Sequence, residues 1–489
     1  MEQLDWTGNL GSALDMPFGI VTGLLLLCLV LQVVFSIVAP PGRPVVNADG
    51  TLTQPPGLYS MTSKTSGWLL AAVVALLLIY IVIGALMGPE TAGIVGGISR
   101  RLIPVWCALV ALFVVSIYFK RSLGLYGKLF DSMVGMIGFG LVMFWVFVAL
   151  FGAFDVIVTH DALSQVSGMK NKLPGTPMRA PDDGEYVWYL LGGDNLARDV
   201  FSRIVKGAGI VVMIAPIATV FAFMVGITLG LPAGYYGGKF DAVLSFIANL
   251  ILAFPVILLF YLLVTPEITL AGVPNYMAMA LFIFPVIFFL ILLNSRYHTQ
   301  PAVRTPLLIA VVGLLFWAYL SLTSTDGYFV ATSTYSIPGL PTWLDWINMP
   351  PEILVVFVSV VFVNSPTVFR IVRGLALDIQ TRDYVAAAQT RGEGPWYIML
   401  WEILPNARGP LIVDFCLRIG YTTILLGTLG FFGLGLESES PDWGTTINAG
   451  RRLLKLYPHA AIFPALSLLT LVLGLNLLAD GLREESLKD

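Results

Sequence analysis

The chain has 489 residues, of which 57% are hydrophobic and only 12% are charged, and its formal net charge is −3. Soluble globular chains carry about 25% charged residues, so this composition excludes a protein that faces water on all sides. The slightly acidic balance also gives no basic surface for binding nucleic acid. A lipid bilayer is the expected solvent for most of the chain.

Apolar runs long enough to cross a bilayer recur along the whole chain, since a spanning helix needs roughly 20 apolar residues. We count about eleven, which predicts an all-α polytopic membrane protein. They lie at residues 18–39, 68–88, 102–119, 134–158, 208–231, 243–264, 276–293, 306–322, 352–370, 411–432 and 461–479. The first run follows acidic residues and no Lys or Arg, unlike a signal peptide, so we expect a retained helix.

The charges of the short loops predict the orientation, because Lys and Arg concentrate on the cytoplasmic side. Residues 120–131 and 294–305 are basic, whereas the links at 265–275 and 323–351 hold acids and no Lys or Arg. The residues that carry this contrast are Lys120, Arg121, Lys128, Arg296, Arg304, Glu267, Asp326 and Asp345. We therefore expect the N-terminus outside and the C-terminus in the cytoplasm. The arginine pairs at 100–101 and 451–452 fall on the outer side of this path and count against it.

Signals for catalysis or for a resident cofactor are absent from the sequence. The phosphate-binding pattern G-x-x-x-x-G-K-[ST] does not occur, so we expect no ATP bound by this chain in that way. The three histidines are far apart, and Cys28, Cys107 and Cys416 stand singly in apolar runs, where they are expected to be small core residues. We therefore predict no metal site and no enzymatic activity in the chain itself.

One pair of charges falls inside a predicted span. Asp414 and Arg418 are spaced i, i+4 and therefore share a helix face. Charges within a span are costly, which often marks a functional position. Two interpretations stay open: a mutually neutralising structural pair, or a polar patch on a translocation pathway.

A polar segment at residues 373–410 separates two spans without being able to cross the membrane itself. Its middle predicts a short helix, with Thr381 or Asp383 as the N-cap and three alanines, the strongest helix formers, at 386–388. Arg391 suits the negative helix end, and Gly392 suits a left-handed position after it. Pro395 then begins a second short helix, which Pro405 is expected to stop. The apolar surface around Tyr384 could receive a soluble partner.

The same segment resembles the "EAA" loop of binding-protein-dependent ABC importer permeases. The family pattern is Glu-Ala-Ala, three residues, Gly, and a later Leu-Pro. Ala386, Ala387, Ala388, Gly392 and the dipeptide Leu404-Pro405 stand at the matching places. The family's Glu is replaced by Ala386 here.

Further stretches resemble the dipeptide/oligopeptide/nickel branch of that family, in its second type of membrane subunit. LGGDNLARDVFSR at residues 191–203 is similar to LGTDxxGRDVxSR, with departures at Gly193 and Ala197. GYYGGKFD at 234–241 resembles the family's GYYGGxxD turn. Other matches are Phe254-Pro255, Pro366, Arg370, Arg373-Gly374, Gly433-Leu434-Gly435, Pro441-Asp442-Trp443-Gly444, Phe463-Pro464, Asn476-Leu477-Leu478 and Asp480-Gly481-Leu482-Arg483. The resemblance covers about 134–265 and 350–489.

The resemblance implies a complex in the bacterial inner membrane. Its partners would be a homologous permease subunit, two ATPase subunits that use ATP and Mg, and an external solute-binding protein. The helix around 386–392 would sit in a groove of an ATPase subunit, and closure of the ATPases would switch the pathway between inward-open and outward-open. The residues expected to couple the two are Asp383, Tyr384, Ala386, Ala387, Ala388, Arg391, Gly392, Leu404 and Pro405.

The matches divide the chain into a permease core and additions to it. Residues 1–130 form an N-terminal extension of about three helices, and 131–266 the first part of the core, with an external loop at 159–207. Residues 267–349 are an inserted helix pair with an external loop, and 350–489 complete the core. The competing functional class is an ion-coupled secondary transporter, which would need intramembrane acids and interrupted helices in corresponding halves. The sequence leaves the transported substrate open.

Overall fold

A computed structural model describes most of the chain. The described residues are 2–38, 45–46, 52–53, 57–178, 181, 186–265, 267–268, 271–323, 350–434 and 439–486. The predicted outer link at 323–351 lies almost wholly outside them, including Asp326 and Asp345, and so does Gly435 of the glycine motif. The described elements are nearly all helices, which confirms the all-α prediction.

The helices of the first half begin and end as follows: α1 Gly8–Val38, α2 Leu58–Met87, α3 Pro89–Arg101, α4 Ile103–Tyr118, α5 Gly124–Lys128, α6 Met133–Ala153, α7 Val200–Tyr236, α8 Gly238–Ala253 and α9 Val256–Val264. Short 3₁₀ turns flank α5 at Lys120–Ser122 and Leu129–Asp131. Two antiparallel pairs of short strands are also present: β1 Val45–Val46 with β2 Leu52–Thr53, and β3 Thr176–Pro177 with β4 Trp188–Tyr189.

The helices of the second half are α10 Val273–Arg296, α11 Pro301–Thr323, α12 Pro351–Ile379, α13 Asp383–Thr390, α14 Pro395–Tyr397, α15 Leu404–Asn406, α16 Arg408–Phe432, α17 Trp443–Arg451 and α18 His459–Ser486. A π-helical stretch at Ile398–Ile403 joins α14 to α15.

Within the described residues, 9 helices are long and apolar enough to cross a membrane, and two bent helix pairs raise the number to 11. The predicted eleven runs correspond to these helices and pairs. The run at 243–264 is not the continuous helix that we predicted, because α8 and α9 meet at a bend of 81°. Pro255 lacks an N–H and forces the extended backbone that Phe254 adopts (ψ 132°), which ends α8 there. The run at 102–119 forms α4. Helix α3 precedes it and is bent by 57° from α4.

The predicted external loop at 159–207 ends earlier than expected. Helix α7 begins at Val200, so residues 200–207 are helical. Ser202 and Arg203 are almost fully buried. The polarity of this stretch therefore reflects buried side chains with partners rather than exposure to water.

The chain divides into two compact units. The first contains Met1–Trp106 and Ile157–Phe201, and the second contains Cys107–Val156 and Ser202–Asp489. This division differs from the one drawn from the sequence, in which the loop after α6 belongs to the core. Contacts of the chain's first residues explain the difference: the Leu4 N–H donates to the Gly175 carbonyl at 2.9 Å, and the Ile94 N–H donates to the Asp5 carbonyl at 2.9 Å.

In the first unit, α1 packs on α2, and α2 packs on α3. Gly84 permits the second contact, because a Cβ placed on it would lie 3.2 Å from the Ala92 Cβ and from the Gly96 Cα. The Tyr80 hydroxyl donates to the Ala92 carbonyl at 2.7 Å and anchors α2 to α3.

In the second unit, α6 and α18 approach closely along a row of glycines. A Cβ on Gly138 would lie 2.3 Å from the Leu478 amide nitrogen, and one on Gly481 would lie 2.4 Å from the Gly135 Cα. Small residues at such contacts are typical of helices that pack inside membranes. These contacts bring the two ends of the second unit's chain together.

Candidate functional site

Helix α13 begins at Asp383, between the starts that the two predicted caps would give. Its N-cap is Arg382, which makes no capping hydrogen bond through its side chain. The prediction of Thr381 or Asp383 as N-cap is therefore wrong. The Thr381 hydroxyl donates instead to the Asp378 carbonyl at 2.9 Å. Asp383 is the first helical residue, where its charge favours the positive helix end.

The end of α13 agrees with the sequence prediction. Gly392 has φ +79°, in the left-handed region. The Glu393 N–H donates back to the Ala388 carbonyl at 3.2 Å, and the Gly392 N–H donates to the Gln389 carbonyl at 3.0 Å. These bonds satisfy carbonyls at the helix end. Arg391 closes the helix, with its Nη2 2.8 Å from a carboxylate oxygen of Glu402.

One face of α13 is buried and packs mainly on the π-helical stretch. Val385 and Ala388 are fully buried, in a cluster with Val368, Val372 and Ala376 of α12. This cluster also contains Leu231 of α7 and several residues of the π-helical stretch. The buried face of α13 therefore belongs to the same cluster as residues of two spanning helices. Ala388 supports the helix from inside, and its side chain is not part of the exposed surface.

The opposite face of α13 is open. Tyr384 is 39% exposed, and Ala386, Ala387 and Arg391 are exposed as well. Small side chains here leave a shallow surface with an aromatic ring at one edge and a guanidinium at the other. We call the surface formed by Asp383, Tyr384, Ala386, Ala387 and Arg391 the α13 outer face.

Pro405 does not stop the helical path, contrary to the prediction. It lies in the first turn of α15, and the backbone continues through Ala407 into α16. Because Pro405 has no N–H to donate to the carbonyl of Trp401, the preceding turn cannot keep its regular hydrogen bonds. The wider π-helical turn at Ile398–Ile403 accommodates this loss. Leu404 is partly buried and packs against the cluster beneath α13.

The segment 373–410 lies at the same end of the spanning helices as the basic loop 294–305. The Trp401 indole N–H donates to the Ser295 hydroxyl at 3.1 Å. The guanidinium of Arg296 stacks 4.6 Å from the Trp401 ring. Both loops were predicted to be cytoplasmic, and these contacts require that they share a side.

Two of the recognised motifs meet beside this segment. Arg373, in the last two turns of α12, forms a two-pronged ion pair with Asp241 of the GYYGGKFD turn. Gly234 of the same turn allows the approach, since a Cβ there would lie 2.6 Å from the Ala376 Cβ. The sequence showed both motifs but not their pairing, because 132 residues separate Asp241 from Arg373.

The motif at 191–203 is a buried polar structure. Arg198 is 2% exposed, and its Nε lies 2.7 Å from an Asp194 carboxylate oxygen. The other Asp194 oxygen accepts the N–H groups of Leu196 and Arg198 at 2.8 and 2.9 Å. Ala197 has φ +65°, which explains why the family has a glycine there. Asp199 is fully buried and accepts from the Thr159 hydroxyl at 2.6 Å.

Arg203 joins the start of α7 to the segment before α17. Its guanidinium donates to the carbonyls of Glu439 and Ser440 at 3.2 and 2.7 Å, and its Nε donates to the Thr446 hydroxyl at 3.2 Å. Asp442 is the N-cap of α17, where its side chain accepts the Thr445 N–H at 3.0 Å. Burial raises the pKa of this carboxyl. Arg203 therefore contacts the chain on both sides of the PDWG motif.

Asp414 and Arg418 form the ion pair that their spacing predicts. The Arg418 Nε donates to the Asp414 carboxylate at 2.8 Å, and the two side chains are 9% and 16% exposed. The pair lies on α16, within a predicted span. The geometry is that of a mutually neutralising pair, one of the two interpretations drawn from the sequence. Within the described residues, no three His, Cys, Asp or Glu side chains form a group that could hold a metal ion.

Comparison with known proteins shows the family of the part of the chain that holds the 234–241 and 373–410 motifs. Residues 226–484 match the family described as "Binding-protein-dependent transport system inner membrane component". The glutathione transport system permease protein GsiD of Pectobacterium atrosepticum is 29% identical over 303 residues, which cover 62% of this chain and 73% of that protein. The dipeptide transport system permease protein DppC of Alkalihalophilus pseudofirmus is 24% identical over 357 residues, or 73% and 86% of the two chains. DppC of Haemophilus influenzae is 26% identical over 296 residues, or 60% and 72%.

Proposed function

Because this chain belongs to the family of binding-protein-dependent transport system inner membrane components, we propose that it is the permease subunit of an ATP-driven importer for peptides or a similar small solute. The relatives named for glutathione and dipeptide transport support this class of substrate. The family match does not favour the alternative of an ion-coupled secondary transporter. The relatives are named as permease proteins of transport systems, which supports a role for this chain as a multi-pass membrane subunit.

The α13 outer face is the proposed docking surface for an ATPase subunit. The observation that carries this proposal is its construction: Val385 and Ala388 are buried against spanning helices, while Tyr384 and Ala387 are exposed on the other side. A partner that grips the outer face moves α12 and α7 through the buried face. Hydrolysis of ATP, with Mg, then belongs to the partner subunits.

Coupling is proposed to be a rigid-body change. Approach of two ATPase subunits would carry α13 and the attached spans with them, switching the pathway between inward-open and outward-open. The complex would also contain a homologous permease subunit and an external solute-binding protein. Arg391 and its partner Glu402 brace the end of α13 and would keep the outer face in one orientation.

The docking proposal is tested with Ala387→Asp. This variant puts a charge into a small apolar contact, so ATPase subunits should no longer co-purify with the permease and uptake in membrane vesicles should fall by tenfold or more. Ala302→Asp is the matched control, because Ala302 is exposed in the first turn of α11, at the end of the molecule that carries the basic loop. Normal ATPase recovery and uptake in Ala387→Asp would remove the α13 outer face as the docking site.

Gly392→Val tests the geometry of the same surface. A Cβ at Gly392 would meet no atom within 4 Å, so the substitution strains only the backbone at φ +79°. We expect the permease to insert normally, with weaker ATPase association or with hydrolysis uncoupled from uptake. Fully coupled transport would show that the left-handed turn is not needed for docking.

The proposed orientation places Lys128, Arg304 and the C-terminus in the cytoplasm and Asp326 outside. In the structure, the Ser132 hydroxyl lies 3.4 Å from Glu484, so the basic loop before α6 and the end of α18 share one side. Single cysteines at these positions, in a background without the native cysteines, should react with an impermeant reagent in intact cells only at position 326. Labelling at 304 from outside would overturn the orientation.

A further inference from the structure

A cavity of about 630 Å³ lies within the first compact unit and belongs to none of the recognised motifs. Met87 at the end of α2 and Ile103 at the start of α4 contribute its apolar wall. Its polar wall contains Arg100, Arg101 and Trp188. The chemistry of this wall is cationic and rich in hydrogen-bond donors.

The two arginines stand at the end of α3. The Arg101 guanidinium lies 4.2 Å from the centre of the Tyr186 ring, which fixes its plane. The Arg100 side chain lies against the chain at Gly88, where a Cβ would come within 2.4 Å of its Nη1. None of the ion pairs seen between described residues involves either guanidinium. Glu90, the acid of the cavity wall, is at the other end of α3, in its first turn.

Trp188 adds an unused donor to the same wall. The residue is 9% exposed, and its indole Nε1 has no hydrogen-bond partner among the described residues. Buried indole N–H groups usually find an acceptor, since leaving one unpaired is costly. An oxyanion in the cavity would accept from the indole and from the guanidinium groups together.

The position of the cavity indicates where the oxyanion comes from. Met87 is the last residue of a candidate span, and Ile103 begins the second helix of another. The ends of spanning helices lie at the level of lipid headgroups. Leu86 and Met87 are 75% and 55% exposed, so an apolar surface for acyl chains borders the cavity. A soluble anion would make no use of this surface.

We propose that this cavity binds the phosphate of an anionic phospholipid, with Arg100, Arg101 and the Trp188 indole N–H as its donors. Basic pockets beside spanning helices recognise lipid headgroups through the same chemistry. This proposal does not depend on the transport function. The arginine pair at 100–101 counted against the predicted orientation, because it falls on the outer side. A phospholipid ligand at that membrane surface accounts for the pair.

The test compares lipid retention by the purified full chain in nanodiscs of phosphatidylcholine mixed with phosphatidylglycerol, followed by native mass spectrometry. The double variant R100Q/R101Q should lower retained phosphatidylglycerol on the order of tenfold. R451Q/R452Q is the matched control, because it removes another consecutive arginine pair, both exposed and outside the cavity, and it should retain the lipid. Equal retention in the two double variants would overturn the proposal.

Trp188→Phe keeps an aromatic ring and removes the donor. It should lower phosphatidylglycerol retention several-fold without changing the thermal stability measured in pure phosphatidylcholine. Inorganic phosphate and glycerol phosphate are added separately as competitors. If either displaces the lipid at equal concentration, the cavity is a site for a soluble oxyanion and the lipid assignment is wrong.

Discussion

The segment at 373–410 and the motif at 191–203 both resemble patterns of the same family, but the first exposes its polar side chains and the second buries them. The α13 outer face leaves Tyr384 and two alanines exposed, and its charged residues also reach water. The 191–203 motif buries its charges, with Asp194 and Arg198 at 1% and 2% exposure. A buried charge is tolerated only when its hydrogen bonds are satisfied within the chain, so it serves the fold. The α13 outer face is an exposed patch of small side chains, held in position by the buried residues on the opposite face of the helix, and it is available to a partner.

The largest effect on stability is expected for Arg203→Met, in the buried motif at 191–203. Its removal leaves two partly buried carbonyls and the buried Thr446 hydroxyl without their donor, and we expect a loss of about 3–5 kcal/mol. Lys206→Met is the control, since the Lys206 pair with Asp155 is partly exposed and should contribute about 1 kcal/mol or less. Thermal unfolding in detergent measures both. Equal melting temperatures for the two variants would contradict the assignment of Arg203 to the fold.

Ala388→Asp is expected to have the next largest effect on stability. It disturbs the buried face of α13, which supports the α13 outer face. The side chain is fully buried, so an aspartate there costs roughly 2–4 kcal/mol and should release α13 from the spans. Limited proteolysis should then cut within 373–410. Ala387→Asp, one residue earlier and exposed, should leave the proteolysis pattern unchanged while it still blocks docking. A shared proteolysis pattern would mean that the two faces of α13 are not distinct.

Asp414→Ala should lower stability more than the double substitution Asp414→Ala/Arg418→Met. The single change leaves the Arg418 guanidinium, 9% exposed, without its partner, at a cost of about 2 kcal/mol. The double change replaces the pair by apolar side chains. Expression level and melting temperature are compared between the single and the double variant. Equal losses in both would show that the residues act separately, which would favour a pathway role.

Ala197→Gly is expected to have the smallest effect, a gain of about 0.5 kcal/mol. Glycine relieves the left-handed strain at φ +65°, while lost chain rigidity and the lost methyl group offset part of the gain. Ala208→Gly, inside helix α7, should instead lose about 1 kcal/mol. Both are read as shifts in melting temperature. A loss at Ala197 would mean that its buried methyl outweighs the backbone strain.

The sequence by itself determined the features that depend on local chemistry. The number of spans follows from runs of apolar residues, because the bilayer admits only chains whose backbone groups are satisfied within helices. The left-handed turn at Gly392 and the pair of Asp414 with Arg418 follow from backbone freedom and helix spacing. The motifs at 191–203 and 373–410 could also be recognised from the sequence, because each is a continuous stretch of residues.

Only the tertiary structure decided which of these residues face inward. Val385 and Ala388 are buried while Ala386 and Ala387 are exposed, although short alanine-rich helices show no strong apolar face. The partners of Arg203 and Asp241 stand more than 100 residues away, and their pairing depends on how the helices pack. The continuation of the chain through Pro405 depended on a π-helical turn supported by the core beneath it. Local preferences fix where helices form, but burial is a property of the whole packing arrangement, so it could not be read from neighbouring residues.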